Sequence, residues 1–274
     1  MRVGGRAPRA RVAIGLLALG LWPQVGAAQA PAAQDTLQAV VTKGELLVGT
    51  FDFFPPWGFL DAQGNLVGMD VDIARDLAEQ MKVKLTLVPV PTAPDRVNFL
   101  VAGKIDVAIA SFTATLERSR TITFTDPYVM EGLGVLFRRE AKIKDWPDLN
   151  GKKVAVTTGS TGETLAIRKA PRARILRFDH ASEALRAVQE KKVDAQIEDY
   201  TYSVYHAGRD PKQGLGFMAR PLDLSPYGFG LRKGDQEWLN YLNFYVYRLH
   251  QSGKMRELYV KWFGSEPMRV APSW

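Results

Sequence analysis

The chain has 274 residues, 46% of them apolar, which is enough to bury a substantial core in one or two domains. The formal net charge is +7, but residues 1–28 hold four arginines and no acidic residue, so the remainder carries +7 − 4 = +3. That modest charge gives no sign of a nucleic-acid-binding surface. The absence of cysteine excludes disulfides, cysteine metal sites, a thiol nucleophile and a lipid-anchored N-terminal cysteine.

Residues 1–28 have the pattern of a secretory signal peptide. Four arginines precede a short apolar run at 12–21, and small residues follow it as far as Ala27 and Ala28. A membrane anchor is the competing interpretation, but the run is only about half as long as the roughly 20 apolar residues that a spanning helix needs. We therefore expect cleavage after Ala27 or Ala28, and a periplasmic protein that is not a lipoprotein.

Strand and helix patterns alternate along the rest of the chain. Short apolar or β-branched runs predict strands, and apolar residues three or four positions apart predict helices, one of them capped by Asp70. Alternation of this kind is typical of α/β folds with parallel sheets flanked by helices. The predicted strands cover 46–50, 85–88, 107–110, 154–157, 175–178 and 195–197, and the predicted helices cover 70–81, 96–102, 164–169, 181–190 and the C-terminal part.

Two segments of the sequence echo each other. VAGKIDVAIAS (101–111) and QEKKVDAQIED (189–199) each lead from a helix end through Lys, a β-branched residue and Asp into a short strand. The strand ends on a polar residue, which is Ser111 in the first segment and Asp199 in the second. Ordinary helix–strand turns explain such an echo, but so do two related α/β lobes that present polar groups where open sheets bind ligands.

Six motifs in a fixed order carry a resemblance to a known family. They are LLVGTFDFFPPWGF (46–59), GNLVGMDVDIARDLAEQM (64–81), GKIDVAIASFTATLERSRTITFTDPY (103–128), DLNGKKVAVTTGSTGET (148–164), KKVDAQIED (191–199) and YGFGLRKGD (227–235). With these motifs the chain resembles the extracytoplasmic solute-binding proteins of polar amino-acid ABC transporters, family 3. The ordered set spans nearly the whole chain after the signal peptide.

The resemblance implies an α/β, two-lobe periplasmic-binding-protein fold of class II. Two crossover strands would join the lobes, with lobe 1 at 36–130 plus 227–267 and lobe 2 at 131–226. A free amino acid would bind in the cleft between the lobes, and an inner-membrane ABC permease would receive it. We expect a monomer that binds neither nucleic acid nor a cofactor.

The first half of the implied ligand site lies in ASFTATLER (110–118). By resemblance, Arg118 and Thr113 bind the ligand carboxylate, which suits a guanidinium fork and a hydroxyl or amide donor. Ser111 would meet the ligand ammonium through an oxygen atom. Arg118 alone is equally explained as a solvated helix residue paired with a nearby acid, with Thr115 as a plain helix cap.

The second half of the site combines TTGSTGET (157–164) with Asp199. Glycines and a helix N-terminus favour a bound anion, so we expect Ser160 and Thr161 to close onto the same carboxylate. A Walker-type phosphate loop does not fit, because no Gly-Lys-Ser/Thr follows. Asp199 is expected to pair with the ligand ammonium, or else to cap a helix, and strand alternation should point Glu198 elsewhere.

For the pocket that would hold the ligand side chain, the sequence supports two different ligand classes. Phe54 and Tyr227 match contact positions in the family, whereas Trp57 is more typical of a lobe core. Phe51 stands where binders of acidic amino acids often carry a basic residue. Arg96, 22 positions before Arg118, matches a side-chain-pairing arginine of aspartate and glutamate binders, although an exposed helix arginine is an equal explanation. An acidic amino acid is the first expectation and a neutral polar one the second.

The sequence predicts no catalytic or metal site. Its three histidines fit neither a metal-ligand spacing nor a catalytic triad. Relatives of the family include cyclohexadienyl or arogenate dehydratase-like enzymes on the same fold. In that alternative, Glu198 or Glu163 would act as a general acid, because enclosure in a cleft raises a carboxyl pKa. A sensor module of a membrane receptor is a further alternative.

Overall fold

The computed structural model describes residues 35–209 and 211–267, together with Met1, Gly4 and Gly5. The basic and apolar parts of the predicted signal peptide lie outside the described residues. The strands and helices below belong to one compact unit. Among the described residues, no helix combines the length and the apolar character needed to cross a membrane.

Strands and helices alternate through most of the described chain. The strands are β1 (Glu45–Thr50), β2 (Phe53–Phe54), β3 (Gly58–Leu60), β4 (Leu66–Val67), β5 (Lys84–Pro89), β6 (Val107–Ala108), β7 (Ile122–Phe124), β8 (Val129–Arg138), β9 (Lys153–Thr157), β10 (Arg174–Phe178), β11 (Ala195–Asp199), β12 (Leu215–Phe217), β13 (Leu222–Tyr227) and β14 (Gly230–Arg232). The α-helices are α1 (Thr36–Lys43), α2 (Met69–Met81), α3 (Asp95–Val101), α4 (Thr161–Lys169), α5 (Ala181–Gln189), α6 (Tyr200–Arg209), α7 (Gln236–Gln251) and α8 (Lys254–Phe263).

Two large sheets organise these elements into two lobes. The first lobe is built on a five-stranded sheet of order β5-β1-β6-β14-β7, and the second on a six-stranded sheet of order β10-β9-β11-β8-β12, with β13 also paired to β8. The strands β5, β1 and β6 run parallel, as do β10, β9 and β11. The short strands β2, β3 and β4 form a separate antiparallel sheet.

The chain crosses between the two large sheets twice. It leaves β7 of the first lobe for β8 of the second through residues 125–128, and it returns from β13 to β14 through residues 228 and 229. The expected α/β fold with two lobes and two crossovers is therefore confirmed. The lobe boundaries inferred from the sequence stay a prediction.

Apolar faces of the strands and helices form the core of each lobe. In α2, Ile73, Leu77 and Ala78 recur at helical spacing and are buried. In the second lobe, Val154 of β9 and Ile197 of β11 are fully buried, as expected for parallel strands covered on both faces.

Several predicted element boundaries shift by one to three residues. The strand expected at 107–110 pairs only through Val107 and Ala108. The helix expected from residue 164 begins at Thr161, because Ser160 caps it by accepting the amide of Glu163 at 3.1 Å. Asp70 is not a helix cap: Gly68 holds that position, and Asp70 lies fully buried in the first turn of α2.

Asp235 connects the first helix to the C-terminal helices. Its carboxylate accepts the backbone N–H of Trp238 at 3.2 Å, which caps α7, and that of Thr36 at 3.0 Å, which begins α1. The residue is 2% exposed, so both donors lose their partner in a protected environment when the carboxylate is removed. One side chain thus supports two helix N-termini.

We predict that Asp235→Ala lowers the free energy of unfolding by about 2–4 kcal/mol. About 1 kcal/mol reflects the lost cap, and a further 1–3 kcal/mol, roughly, reflects the buried amide left unsatisfied. The matched control is Asp35→Ala, which removes the exposed cap of α1 and should cost about 1 kcal/mol. Equal losses in urea unfolding of the two variants would contradict this role of Asp235.

Candidate functional site

A cavity lies between the two lobes. The first lobe contributes three aromatic rings, two arginines and two hydroxyls, and the second contributes three carboxyls and three hydroxyls. Eight of the nine residues predicted for the site line it, and Tyr227 does not. The lining residues are Phe51, Phe53, Phe54, Ala93, Arg96, Ser111, Thr113, Arg118, Thr157, Ser160, Thr161, Asp179, Ala181, Glu198 and Asp199.

The polar lining comes from the carboxyl ends of strands. Ser111 follows β6, Thr157 ends β9 and Asp199 ends β11. In open α/β sheets, the strand ends and the helices that follow them meet at one edge, where ligands bind. The two echoing sequence segments therefore deliver Ser111 and Asp199 to the same cavity from opposite lobes.

Arg118 bridges the two lobes. Its Nη1 donates to the carbonyl of Thr113 at 2.8 Å, and its Nη2 donates to the carbonyl of Gly159, in the second lobe, at 3.2 Å. Burial lowers the pKa of Arg118 from its ordinary value. Thr115 accepts the backbone N–H of Arg118 at 3.2 Å, so it caps its own turn, as the sequence indicated.

Arg96 is enclosed by the first lobe rather than exposed on a helix. It is 4% exposed, and its guanidinium carbon lies 5.0 Å from the ring centroid of Phe51 and 4.3 Å from that of Phe112. Its Nε donates to the carbonyl of Ala93 and its Nη1 to those of Ala110 and Ser111. Burial lowers its pKa to about 9, which leaves it charged at neutral pH.

Asp70 fixes the backbone that holds Ser111. Its Oδ2 accepts the N–H of Ser111 at 2.6 Å, and its Oδ1 accepts the hydroxyl of Tyr128 at 2.8 Å. Ser111 has a φ of +43°, a left-handed conformation that costs a non-glycine residue energy. Because an acid in the first turn of a helix resembles a cap, this buried role could not be predicted from the sequence pattern.

Asp199 presents a carboxylate to the cavity from the second lobe. It is 5% exposed, and its Oδ2 has no hydrogen-bond partner among the described residues. The hydroxyl of Tyr227 hydrogen-bonds to this carboxylate. Burial, with Glu198 and Glu131 nearby, raises the pKa of Asp199 well above its ordinary value. Tyr227, which was predicted to contact a ligand, is absent from the lining of the cavity.

Glu198 also lines the cavity, so the expectation that it points elsewhere is wrong. Its Oε2 accepts the hydroxyl of Thr157 at 2.6 Å, and the side chain is buried. Glu198 and Asp199 keep their regular pairing with β8, but the cavity lies at the carboxyl end of β11, so side chains from both faces of the strand reach it. Burial raises the pKa of Glu198 to about 7.

The N-terminus of α4 forms the wall beside Arg118. Ser160 caps this helix and Thr161 is its first residue, and both line the cavity. The carboxylate of Glu163 accepts the N–H of Gly159 at 2.8 Å and pairs with Arg177 at 2.6 Å. The capping role and a place in the cavity are therefore compatible for Ser160, and the free amides of the helix end favour an anion.

Aromatic contacts close the other side of the cavity. Phe54 of the first lobe stacks on Tyr202 of the second, with ring centroids 4.8 Å apart and an interplanar angle of 16°. Trp57 is fully buried, and its indole N–H donates to the hydroxyl of Thr201 at 3.0 Å. Trp57 does not line the cavity, in agreement with its expected place in the core.

We predict that the ligand-free protein becomes less stable as the pH rises from 7 to 8.5. Burial raises the pKa of Asp70 to about 7, of Glu198 to about 7 and of Glu131 to about 8. The folded state then keeps protons that the unfolded chain releases near pH 4, so this stability is lost as the pH rises through the folded values. The buried His206, with its pKa lowered to about 4, contributes little above pH 7.

The expected loss of unfolding free energy over this interval is about 2 kcal/mol. The variant Glu131→Gln should remove roughly half of it, because Glu131 has the highest of the three values. Urea unfolding at three pH values measures the effect. A free energy of unfolding that stays flat or rises with pH would contradict the assignment of protonated buried carboxyls.

Comparison with known proteins identifies the family. The family description "bacterial extracellular solute-binding proteins, family 3" matches residues 46–265. The ABC transporter glutamine-binding protein GlnH of Bacillus subtilis (strain 168) is 28% identical over 256 residues, which cover 92% of this chain and 93% of that one.

Two solved structures are similar over most of this chain. A mutant of ArgBP from T. maritima has a TM-score of 0.78 at 33% identity, covering 84% of this chain and 100% of that one. The ancestral amino acid-binding protein AncCDT-1, a precursor of cyclohexadienyl dehydratase, has a TM-score of 0.77 at 33% identity, with the same coverage. The chain belongs to family 3 of the bacterial extracellular solute-binding proteins.

Proposed function

We propose that the protein binds one free amino acid between its lobes and delivers it to the permease of an ABC transporter. The observation that carries the proposal is that Arg118 from one lobe and Asp199 from the other line a single cavity. An amino acid is a zwitterion, so a guanidinium and a carboxylate facing each other match its two charged groups. The family membership and the glutamine-binding relative support the same function.

The ligand carboxylate binds Arg118 in this proposal. A guanidinium has five N–H donors, and the side chain uses one on Thr113 and one on Gly159, which leaves donors for the ligand. Ser160 and Thr161 at the N-terminus of α4 add hydroxyl and amide donors beside it. The donors therefore come from both lobes, so the carboxylate itself holds the lobes together.

The ligand ammonium binds Asp199. Its Oδ2 is buried and has no partner within the described part of the chain, and an ammonium supplies the missing donor and the opposite charge. The carbonyl or hydroxyl of Ser111 completes this end, and Tyr227 orients the carboxylate. A bound ammonium also favours the ionised form of Asp199, which lowers its pKa.

Closure of the lobes is the proposed signal to the transporter. Contacts across the lobes join Arg118 to Gly159, Phe54 to Tyr202 and Trp57 to Thr201. A Cβ on Gly159 would lie 3.0 Å from Cγ of Pro94 in the first lobe, so the lobes approach closely there. A ligand that bridges the lobes favours this arrangement over a separated one.

The remaining expectations complete the proposal. The chain is exported to the periplasm by its N-terminal signal and acts there as a monomer without a cofactor. The lobes comprise 36–130 plus 227–267 and 131–226. Of the two expected ligand classes, a neutral polar amino acid is favoured over an acidic one, because the buried Arg96 and the half-buried Arg118 already face two buried carboxyls, Glu198 and Asp199.

One observation favours a second candidate, an enzyme of the dehydratase type. Glu198 lines the cavity with a pKa raised to about 7, a value that suits a general acid at neutral pH. The likeness to AncCDT-1 supports this alternative as well. Glu163 is the weaker choice, because it pairs with Arg177 and does not line the cavity.

We predict that Arg118→Ala weakens amino-acid binding at least about 30-fold, because loss of a charged partner costs roughly 2 kcal/mol or more. Calorimetric titration of refolded, ligand-stripped protein with individual amino acids measures this. Arg120→Ala is the matched control, since Arg120 is exposed, lies in the same turn and is absent from the lining. Full affinity in the Arg118→Ala variant would contradict the proposed ligand site.

For the enzymatic alternative, we predict no turnover when the protein is incubated with prephenate or arogenate. The expected result is an aromatic-product signal equal to that of buffer alone. Formation of phenylpyruvate or phenylalanine that disappears in Glu198→Gln would instead establish the dehydratase.

A further inference from the structure

The far end of the cavity holds two buried side chains of opposite charge that do not pair. Arg96 comes from α3 and Glu198 from β11, and they are 4% and 5% exposed. Both line the cavity, and the field of each acts on the ionisation of the other. Yet Arg96 makes no ion pair with any carboxylate in the described ranges, and its guanidinium donates hydrogen bonds to backbone carbonyls instead.

Each of these side chains is fixed by its own lobe. Three carbonyls and two aromatic rings hold Arg96, so it cannot swing across the cavity without losing them. Glu198 is tied to Thr157 by a 2.6 Å hydrogen bond. The gap between them is therefore a built feature that a ligand group can fill.

The chemistry of that gap discriminates between ligand side chains. An acidic side chain suits Arg96 but meets a second carboxylate at Glu198, and a cationic one suits Glu198 but meets Arg96. A carboxamide satisfies both, since its oxygen accepts from a guanidinium and its NH₂ donates to a carboxylate. It also leaves the two arginines and the two buried carboxyls of the cavity balanced, which matters where unpaired charge is costly.

We propose that Glu198 is a specificity-determining residue that, together with Arg96, selects an amino acid with a carboxamide side chain, such as glutamine or asparagine. This inference rests on the proposed function, because it assumes that the α-carboxylate and α-ammonium occupy Arg118 and Asp199. It also gives a ligand-binding role to Glu198, which strand alternation had predicted to point elsewhere.

Protonation of Glu198 provides an independent test of its role in specificity. With a proton, Glu198 no longer repels an acidic side chain, so binding of glutamate is coupled to proton uptake and binding of glutamine is not. Other ionisable groups face this region whichever ligand is bound, so the ratio of the two affinities isolates Glu198. These groups are Asp199 on the same strand, Glu131 from β8, Tyr202 from α6, Arg96 from α3, Arg118 from the turn after β6, and Asp179 after β10.

The experiment measures the dissociation constants of glutamine, glutamate and lysine at pH 8 by calorimetry, for the full chain and for Glu198→Gln. We expect the unaltered protein to bind glutamine at least 10-fold more tightly than either charged amino acid. This factor corresponds roughly to the free-energy cost of one mismatched hydrogen-bonding group in the cavity. In Glu198→Gln, the preference for glutamine over glutamate should shrink at least 10-fold, because the repelling carboxylate is gone. Glu183→Gln, an exposed acid of α5 in the same lobe, is the matched control.

A second measurement needs no variant. Between pH 8 and pH 6, the affinity of the unaltered protein for glutamate relative to glutamine should rise, by up to about 10-fold per pH unit. A ratio that is constant with pH, or a preference that Glu198→Gln leaves unchanged, overturns the role of Glu198. A preference for glutamate or lysine overturns the carboxamide class.

The outcomes also separate this inference from the function beneath it. If amino acids bind in an Arg118-dependent way but with another preference, the specificity assignment fails and the proposed function stands. If no amino acid binds the refolded protein, the proposed function fails and the specificity assignment fails with it.

Discussion

Buried charge at the line where the two lobes meet is the constraint on which this structure depends. Removing an ion from water costs several kcal/mol unless a partner replaces the lost hydration. Arg96 meets that cost with three backbone carbonyls, and Arg118 with carbonyls from both lobes. Asp199 meets it only in part, because one carboxylate oxygen lacks a partner among the described residues. A cation that enters the cavity relieves this deficit.

The fold brings these charges together through its topology. Parallel strands deliver their carboxyl ends to one edge of each sheet, and the two crossovers at 125–128 and 228–229 set the two edges face to face. Asp70 then holds Ser111 in a left-handed conformation, which aims two carbonyls at Arg96. The buried carboxyls and the strained Ser111 lower the stability of the fold, and they are concentrated at the proposed ligand site.

The sequence predicted the site where local pattern decides position. Ser111 and Asp199 each follow a short strand and a repeated motif, so their place at a sheet edge could be inferred. Arg96 was predicted through the resemblance alone, with an exposed helix arginine as an equal explanation, because its enclosure depends on contacts with Phe51 and Phe112. Glu198 was misassigned because the cavity lies at the end of β11, where side chains from both faces of the strand line it. The identity of the ligand side chain depends on such long-range contacts.

A crystal structure of the protein grown with glutamine is the most direct test of the central claim. We expect one amino acid in the cavity between the lobes, with its carboxylate hydrogen-bonded to Arg118, its ammonium to Asp199 and its side-chain amide between Arg96 and Glu198. A ligand bound elsewhere, or in the cavity with its ammonium away from Asp199, would contradict it.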